Sequence, residues 1–344
     1  MIDIKVESNG NLSPNLFEYA TSELSQDAFF AYLLKWSDPL YKNTDFLSYQ
    51  LGLQFVRLLT SSKDLQIYSV KIFKQWEHID ILVEINDDTV IVIEDKTFTT
   101  IHGNQLSDYK TAVNNYYGPK SKYFRKNIIF IYISPFNEQQ ANLINIQSQF
   151  NYKVIGREIL LSLFNGYRGD NTILNDYKVL LNEFENKTQS FKNIKYLDWC
   201  YEAWQGFYMF LNKHIPELRW HYVANPSGGF LCAHWYWSWL DIDKVSLYLQ
   251  FDQLQLCIKL CCADVPVNKR SEMMWKYNKL ILSDNDSEVL KIKKPKRLRS
   301  GVYTTIAVIQ LSDICGLLDN NGFINLSNIK ECLLPYENFI DKFT

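Results

Sequence analysis

The chain has 344 residues, 47% of them hydrophobic and 15% aromatic, and carries a formal net charge of −2. This composition excludes an intrinsically disordered protein, and the length favours two domains, each with its own core. Because the chain is not basic overall, any surface that binds a polyanion must be a local patch.

Two amphipathic helices are predicted first, and Ser25 is the expected N-cap of the first one. Apolar side chains at helical spacing define both helices: Phe29, Phe30, Leu33 and Leu34 in the first, and Phe46, Tyr49, Leu53 and Val56 in the second. The next predicted elements are strands at 67–73, 79–85 and 90–96, a helix at about 104–116 and a strand at 128–133. This order predicts an α/β domain with a mixed sheet flanked by helices.

A largely helical stretch, with a short strand near residues 152–155, extends the first predicted domain over residues 1–192. Residues 193–344 predict a second domain of the α+β class. Its predicted elements are a helix at 196–211, strands at 219–223, 230–240, 245–251 and 255–261, a helix near 271–282, a strand at 303–311 and a closing helix near 326–339.

Charged side chains interrupt two of the predicted inner strands. Asp80 lies between two isoleucines, and Glu94 and Lys96 follow a run of four apolar residues. Since side chains alternate along a strand, Glu94 and Lys96 share one face while Asp95 points to the other. Such charges are costly in a buried strand unless they are paired or bound to an ion.

The loop between these two strands decides whether Asp80 can meet Glu94. A three-residue loop, residues 86–88, places Asp80 opposite Glu94, whereas a two-residue loop at 87–88 pairs Asp80 with Asp95. We predict the three-residue loop or an equivalent bulge. Opposed carboxylates repel each other, and a divalent cation between them would turn that repulsion into a binding site.

Magnesium is the predicted cofactor, with manganese as the alternative, because it takes oxygen ligands and needs only one or two protein carboxylates. A bound cation would activate a water molecule and neutralise charge on a phosphate. Lys96 could orient that water or stabilise the transition state. Asp80, Glu94 and Lys96 are therefore the candidate catalytic residues for phosphodiester hydrolysis, with Asp80 and Glu94 as metal ligands.

This pattern, Asp80 followed by thirteen residues and then Glu94-Asp95-Lys96, resembles the PD-(D/E)XK nuclease superfamily. The resemblance covers about residues 20–165. It continues in Gln105 and Tyr109, which match the Q-x-x-x-Y signature of the exonuclease domains in bacterial recombination helicase–nucleases. Upstream, the triplet E-L-S at residues 23–25 is similar to the start of a prokaryotic branch of the superfamily.

The resemblance implies a restriction-endonuclease-like αβββαβ core. It also implies that Gln105 helps to position the metal and substrate, that Tyr109 contacts the nucleic acid, and that Glu23 adds a ligand to the metal. Two positions depart from the family pattern. Ile79 replaces the proline that often precedes the aspartate, and Asp95 is an unusually polar residue for an inner strand.

Two features of the second domain have two interpretations each. Six Lys or Arg side chains among residues 291–299 form either a solvated loop or a phosphate-binding hairpin. The residues that would then bind nucleic acid are Lys293, Lys294, Lys296 and Arg297. The alternating Trp235, Trp237 and Trp239 are predicted to be core residues, with base stacking as the alternative.

The predicted function is magnesium-dependent cleavage of nucleic acid, with DNA favoured as the substrate. Two alternatives stay open: an RNA nuclease, and a non-catalytic nucleic-acid-binding or scaffold protein in which the three charged residues form a buried ion-pair cluster. A protein activator and a homodimer also stay open as partners. Because the sequence shows no secretory leader and no membrane span, we expect a cytoplasmic protein. The family association suggests a role in defence against foreign DNA.

Overall fold

The computed structural model describes residues 14–97, 103–225 and 228–343. Its contacts divide the chain into two compact units, Met1–Glu185 and Asn186–Thr344. The predicted domain boundary, between residues 192 and 193, lies close to this division. None of the described helices combines the length and the hydropathy needed to cross a membrane.

The first unit contains a five-stranded sheet with the strands in sequence order. These strands are β1 (Val70–Trp76), β2 (Ile79–Ile85), β3 (Thr89–Asp95), β4 (Asn127–Ser134) and β5 (Lys153–Gly156). The pairs β1–β2 and β2–β3 are antiparallel, whereas β3–β4 and β4–β5 are parallel. The predicted mixed sheet is confirmed.

Helices cover both faces of this sheet. They are α1 (Glu23–Lys35), α2 (Phe46–Thr60), α3 (Gln105–Tyr117), α4 (Gln140–Phe150), α5 (Arg157–Asn165) and α6 (Thr172–Gln189). One face packs against α1, α2, α5 and α6, and the other packs against α3 and α4. Phe30 of α1 and Phe55 of α2 stack in the larger core and are fully buried, each stabilising it by roughly 1.5–3 kcal/mol.

Two predicted boundaries in this unit are wrong. The N-cap of α1 is Ser22 rather than Ser25, because Ser22 has an extended backbone and its hydroxyl accepts the backbone N–H of Ser25. The first strand begins at Val70 rather than at residue 67. The side chain of Asn86 in the β2–β3 loop binds backbone groups of residues 66, 68 and 69, which holds that segment against the loop and outside the strand.

Gly52 lets α2 approach α1 closely. A Cβ atom at this position would lie 2.7 Å from the backbone nitrogen of Ser37 and 2.8 Å from the carbonyl oxygen of Leu33. We therefore expect Gly52→Ala to lower the free energy of unfolding by about 1–3 kcal/mol in urea denaturation. The matched change Gly166→Ala meets ordinary contact at 3.6 Å, so it should alter stability by less than about 0.5 kcal/mol. Equal effects would contradict this explanation.

The second unit contains a five-stranded antiparallel sheet in the order β10-β9-β8-β7-β6. The strands are β6 (Arg219–Val223), β7 (Phe230–Leu240), β8 (Val245–Asp252), β9 (Gln255–Cys261) and β10 (Tyr303–Gln310). The helices are α7 (Tyr201–His214), α8 (Arg270–Leu282), the short α9 (Asp286–Val289) and α10 (Ile329–Asp341). Helices α7, α8 and α10 share one large core with one face of the sheet. The predicted α+β class is confirmed.

Two expectations for this unit are wrong. The helix predicted at 196–211 is interrupted, because residues 196–198 form a separate 3-10 turn before α7 begins. Of the three tryptophans, only Trp235 is a core residue, whereas Trp237 and Trp239 are 48% and 49% exposed. A bulge in β7 between Trp235 and Ser238 breaks the alternation, so the later side chains change face.

Candidate active site

The β2–β3 hairpin has the predicted three-residue loop. Ile85 pairs with Thr89 and Ile81 pairs with Ile93, a register that sets Asp80 opposite Glu94. Glu94 is fully buried, while Asp80 is half-buried at the start of β2. The two carboxyl groups are close enough for the charge of Asp80 to raise the pKa of Glu94. The hairpin therefore brings two acids together at one end of the sheet.

Glu94 is held by a lysine and an amide. Lys96 Nζ lies 2.7 Å from Glu94 Oε1, and Gln105 Nε2 donates to the same oxygen at 2.8 Å. Lys96 is 8% exposed, so this ion pair is shielded from water. Among the described residues, the second oxygen, Glu94 Oε2, is buried with no hydrogen-bond partner. One oxygen of Glu94 is thus oriented by the protein while the other is available.

Gln105 is in turn fixed by Tyr109, one turn later in α3. Gln105 Nε2 also donates to the Tyr109 hydroxyl at 2.7 Å, and that hydroxyl donates to the carbonyl oxygen of His78 at 2.6 Å. Tyr109 is only 6% exposed. Its contacts place it beneath the glutamine and away from the surface, so the expected contact between Tyr109 and nucleic acid stays a prediction.

A further acidic group lies on the α1 side of the sheet. Asp95 points away from Glu94, as strand alternation predicts, and its carboxylate accepts the Gln26 amide at 2.6 Å. One oxygen from each of Asp27, Asp80 and Asp95 lies within 4.8 Å of the other two. Asp80 therefore lies next to two sets of acids: Glu94 on one side, and Asp27 with Asp95 on the α1 side.

Gln26 and Asp27 are two site residues that were not predicted from the sequence. Both are buried, Gln26 at the end of the first turn of α1 and Asp27 at the start of the second. One signal was available, since Asp27 follows Glu23 by one helical turn and so shares its face. Glu23 lies near enough to Lys96 for its charge to raise the pKa of that lysine.

A family model for the PD-(D/E)XK nuclease superfamily matches residues 14–206, more than half of the chain. The chain belongs to this superfamily. No curated protein and no solved structure matches it significantly. Membership supports a nuclease-type function, and the restriction-endonuclease-like fold expected from the resemblance is shown by the mixed sheet and its flanking helices.

Burial controls the charge of this PD-(D/E)XK site. Burial, followed by the nearby charge of Asp80, raises the pKa of Glu94 from 4.5 to about 8. Burial also raises the pKa of Asp80, and it raises that of Asp95 well above the ordinary value, with Asp27 adding to the shift. Burial acts to lower the pKa of Lys96, but the hydrogen bond and charge of Glu94 outweigh it, so the lysine stays protonated.

The donor set fits a hard divalent cation. Asp27 Oδ1 and Asp95 Oδ1, like Glu94 Oε2, are buried oxygens with no hydrogen-bond partner among the described residues. Buried polar atoms of this kind are uncommon unless something satisfies them. Carboxylate oxygens are the ligands that magnesium and manganese prefer. Asp80, with Glu94 on one side and Asp27 and Asp95 on the other, is the residue best placed to hold such an ion.

The free energy of unfolding of the metal-free protein should fall as pH rises from about 4.5 to about 8. A carboxyl group with a raised pKa in the folded state binds its proton more tightly there, so its contribution to stability is lost between about pH 4.5 and about pH 8. Urea unfolding of wild type and Glu94→Gln in EDTA isolates this contribution. The stability of wild type relative to the variant should decrease from about pH 5 to about pH 8.5. A difference independent of pH would contradict the raised pKa.

The four cations predicted to bind nucleic acid lie in the second unit. Lys293 Nζ is 2.7 Å from Asp313 Oδ2, and Lys294 lies over the ring of Trp275 at 5.1 Å. Lys296 and Arg297 are exposed. Their binding to nucleic acid stays a prediction, and two of the four already have a partner within the unit.

Proposed function

We propose that the chain is a metal-dependent nuclease that hydrolyses phosphodiester bonds in DNA. The observation that carries the proposal is the opposition of Asp80 and Glu94, with Lys96 paired to Glu94 in a buried setting. A structural ion pair needs one acid for one base. Here several carboxylates surround one lysine, and three of their buried oxygens have no hydrogen-bond partner in the described part of the chain.

Each residue of the site has a role in this proposal. When bound, magnesium or manganese would supply Lewis acidity to a water molecule and to the scissile phosphate. Asp80 and Glu94 would hold the ion, and Asp27, Asp95 or Glu23 would complete the ligand set. The ammonium group of Lys96 would donate a hydrogen bond to the attacking water or to the oxygen on which charge develops in the phosphate.

Gln105 acts as a positioning residue. Its two amide protons are shared between Glu94 and Tyr109, so it fixes the rotamer of the glutamate against the helix. Tyr109 anchors Gln105 through the backbone of His78. Three hydrogen bonds in series thus orient Glu94, the proposed metal ligand. They link it to Gln105, then to Tyr109, and then to the carbonyl oxygen of His78.

Cleavage of labelled single-stranded DNA, duplex DNA and RNA in magnesium, manganese and EDTA tests the proposal. We expect metal-dependent cleavage of DNA. Cleavage of RNA alone would replace the substrate with RNA. Binding without cleavage under all three conditions would support a non-catalytic nucleic-acid-binding protein on the same fold. The proposed setting is the cytoplasm, where such an activity would act on foreign DNA.

A further inference from the structure

One face of the sheet in the second unit is not used by its core. Helices α7, α8 and α10 pack against the face that carries Trp235, Leu249 and Ile258. On the opposite side Ser246, Tyr248 and Cys261 are buried, and the rings of Trp237, Trp239 and Tyr303 are exposed around them. We call this exposed part of the opposite side the open face. The strand register sets two cross-strand rows on it: Trp239, Ser246, Cys261 and Tyr303, and the neighbouring row Tyr248, Lys259 and Thr305.

The first row has an aromatic ring at each end and small residues between them. Trp239 is 49% exposed and Tyr303 is 60% exposed. Ser246 and Cys261 separate them by three strand spacings, which is roughly 14 Å. The row therefore forms a shallow trough with an exposed ring on each side.

Trp237 adds a supported ring over the neighbouring row. Its ring stacks on Tyr248 at 3.9 Å with an angle of 8° between the planes, and its Nε1 donates to His234 at 3.2 Å. Tyr248 is buried, so one side of the indole is covered while 48% of the residue remains exposed. A ring held flat from below, with its other side in solvent, is ready for stacking without further ordering.

Positive charge lies at the β10 edge of the sheet. We call residues 291–299 the basic segment. Lys293 forms a bridge with Val308 on β10, which places the basic segment at the β10 edge, and the chain then runs to Tyr303 at the start of that strand. Within this stretch Lys296, Arg297 and Arg299 are exposed, and they form no ion pair with the described residues.

We propose that the open face binds single-stranded nucleic acid, with bases stacked on Trp237, Trp239 and Tyr303 and phosphates held by the basic segment. Unpaired bases stack on aromatic rings whatever their sequence, and clustered cations bind the phosphates by releasing counterions. A duplex buries its base faces and cannot use the rings. This inference goes beyond the proposed nuclease activity, because it concerns a second surface whose binding requires neither metal nor catalysis.

The test is fluorescence anisotropy of the full chain in EDTA with labelled oligothymidylate, oligouridylate and a duplex of equal length. The two single strands distinguish DNA from RNA as the natural ligand. The double variant Trp237→Ala with Trp239→Ala should bind the preferred single strand at least about tenfold more weakly. Tyr303→Ala, at the other end of the trough, is a second variant with the same expectation. Lys296→Ala with Arg297→Ala should reduce the salt slope by roughly 1.4.

Tyr222→Ala is the matched control, since Tyr222 is 52% exposed but pairs with the core residue Leu231 and contacts Tyr201 of α7, on the other face of the sheet. It should change the affinity less than about twofold. The proposal is overturned if wild type does not bind single strands, if the open-face variants bind like wild type, or if the control loses as much. Because EDTA prevents metal-dependent cleavage, failure of the nuclease proposal would leave this result unaffected.

Discussion

Replacing Lys96 with alanine is expected to lower the rate of phosphodiester cleavage about 10²–10³-fold, the usual loss when one donor to a developing charge is removed. Lys96 Nζ lies 2.7 Å from Glu94, and its pKa is raised above 10.5, so the nitrogen carries its proton at neutral pH. The change leaves the metal ligands in place. Binding of the metal should therefore be reduced much less than the rate.

Lys71→Ala is the matched control for this variant. Lys71 lies on β1 of the same sheet and is 3.8 Å from Glu84, but its side chain is 58% exposed. An exposed pair of this kind contributes at most about 1 kcal/mol to stability, and Lys71 does not contact Glu94. The rate of phosphodiester cleavage by Lys71→Ala should equal that of wild type. Equal rates for Lys96→Ala and wild type would show that Lys96 has no role in the reaction.

Asp80→Asn is expected to weaken binding of manganese or magnesium by at least about 100-fold in calorimetric titration. Asp80 is the acid shared by the pair with Glu94 and the group with Asp27 and Asp95, so its loss affects every arrangement of ligands that the site offers. The metal-free variant should be as stable as wild type or more stable by about 1 kcal/mol, because like charges in contact destabilise the fold.

Weaker metal binding together with unchanged or higher stability in Asp80→Asn distinguishes a metal site from a structural ion-pair cluster. In a structural cluster, Asp80→Asn would remove the negative charge that strengthens the hydrogen bond from the Asp95 backbone N–H, and would lower the stability with no effect on metal binding. Asp87→Asn makes the same substitution at an exposed position of the β2–β3 loop. It should leave both metal binding and stability unchanged. Metal binding retained by Asp80→Asn would place the ion elsewhere.

The parts of the site that strand geometry controls could be predicted from the sequence. The alternation of side chains placed Glu94 and Lys96 together and Asp95 opposite, and the three-residue loop, predicted over a two-residue alternative, gave the register that brings Asp80 to Glu94. Both inferences use only the period of a strand and the length of its turn, which depend on local geometry. The Q-x-x-x-Y spacing likewise predicted that Gln105 and Tyr109 share a helix face, and they are bonded.

The α1 side of the site could not be predicted in this way. Gln26 and Asp27 meet Asp95 only because α1 packs across the sheet, a contact between residues 69 positions apart for the Gln26 bond. Periodicity within α1 shows which face is apolar, but Asp27 lies on the buried side despite its charge. A sequence pattern that assigns polar residues to the surface therefore misses it, and only the packed structure brings it to the acids.

The second unit shows the limit of strand alternation itself. Trp235, Trp237 and Trp239 have the spacing of one strand face, yet the bulge in β7 puts the first in the core and leaves the other two exposed. A bulge adds one residue and reverses the faces beyond it. Nothing in the local sequence marks this insertion, because tryptophan and tyrosine fit either side of a half-buried sheet.

The most direct test of the proposed metal site is the rate of DNA cleavage as a function of magnesium concentration. It is measured for wild type and Asp80→Asn, prepared in parallel and stripped of metal. We expect that cleavage by wild type is absent without metal, rises with magnesium and saturates, and that the rate for the variant stays at background. Cleavage by both proteins with the same dependence on magnesium would contradict the assignment of the site to Asp80 and its neighbours.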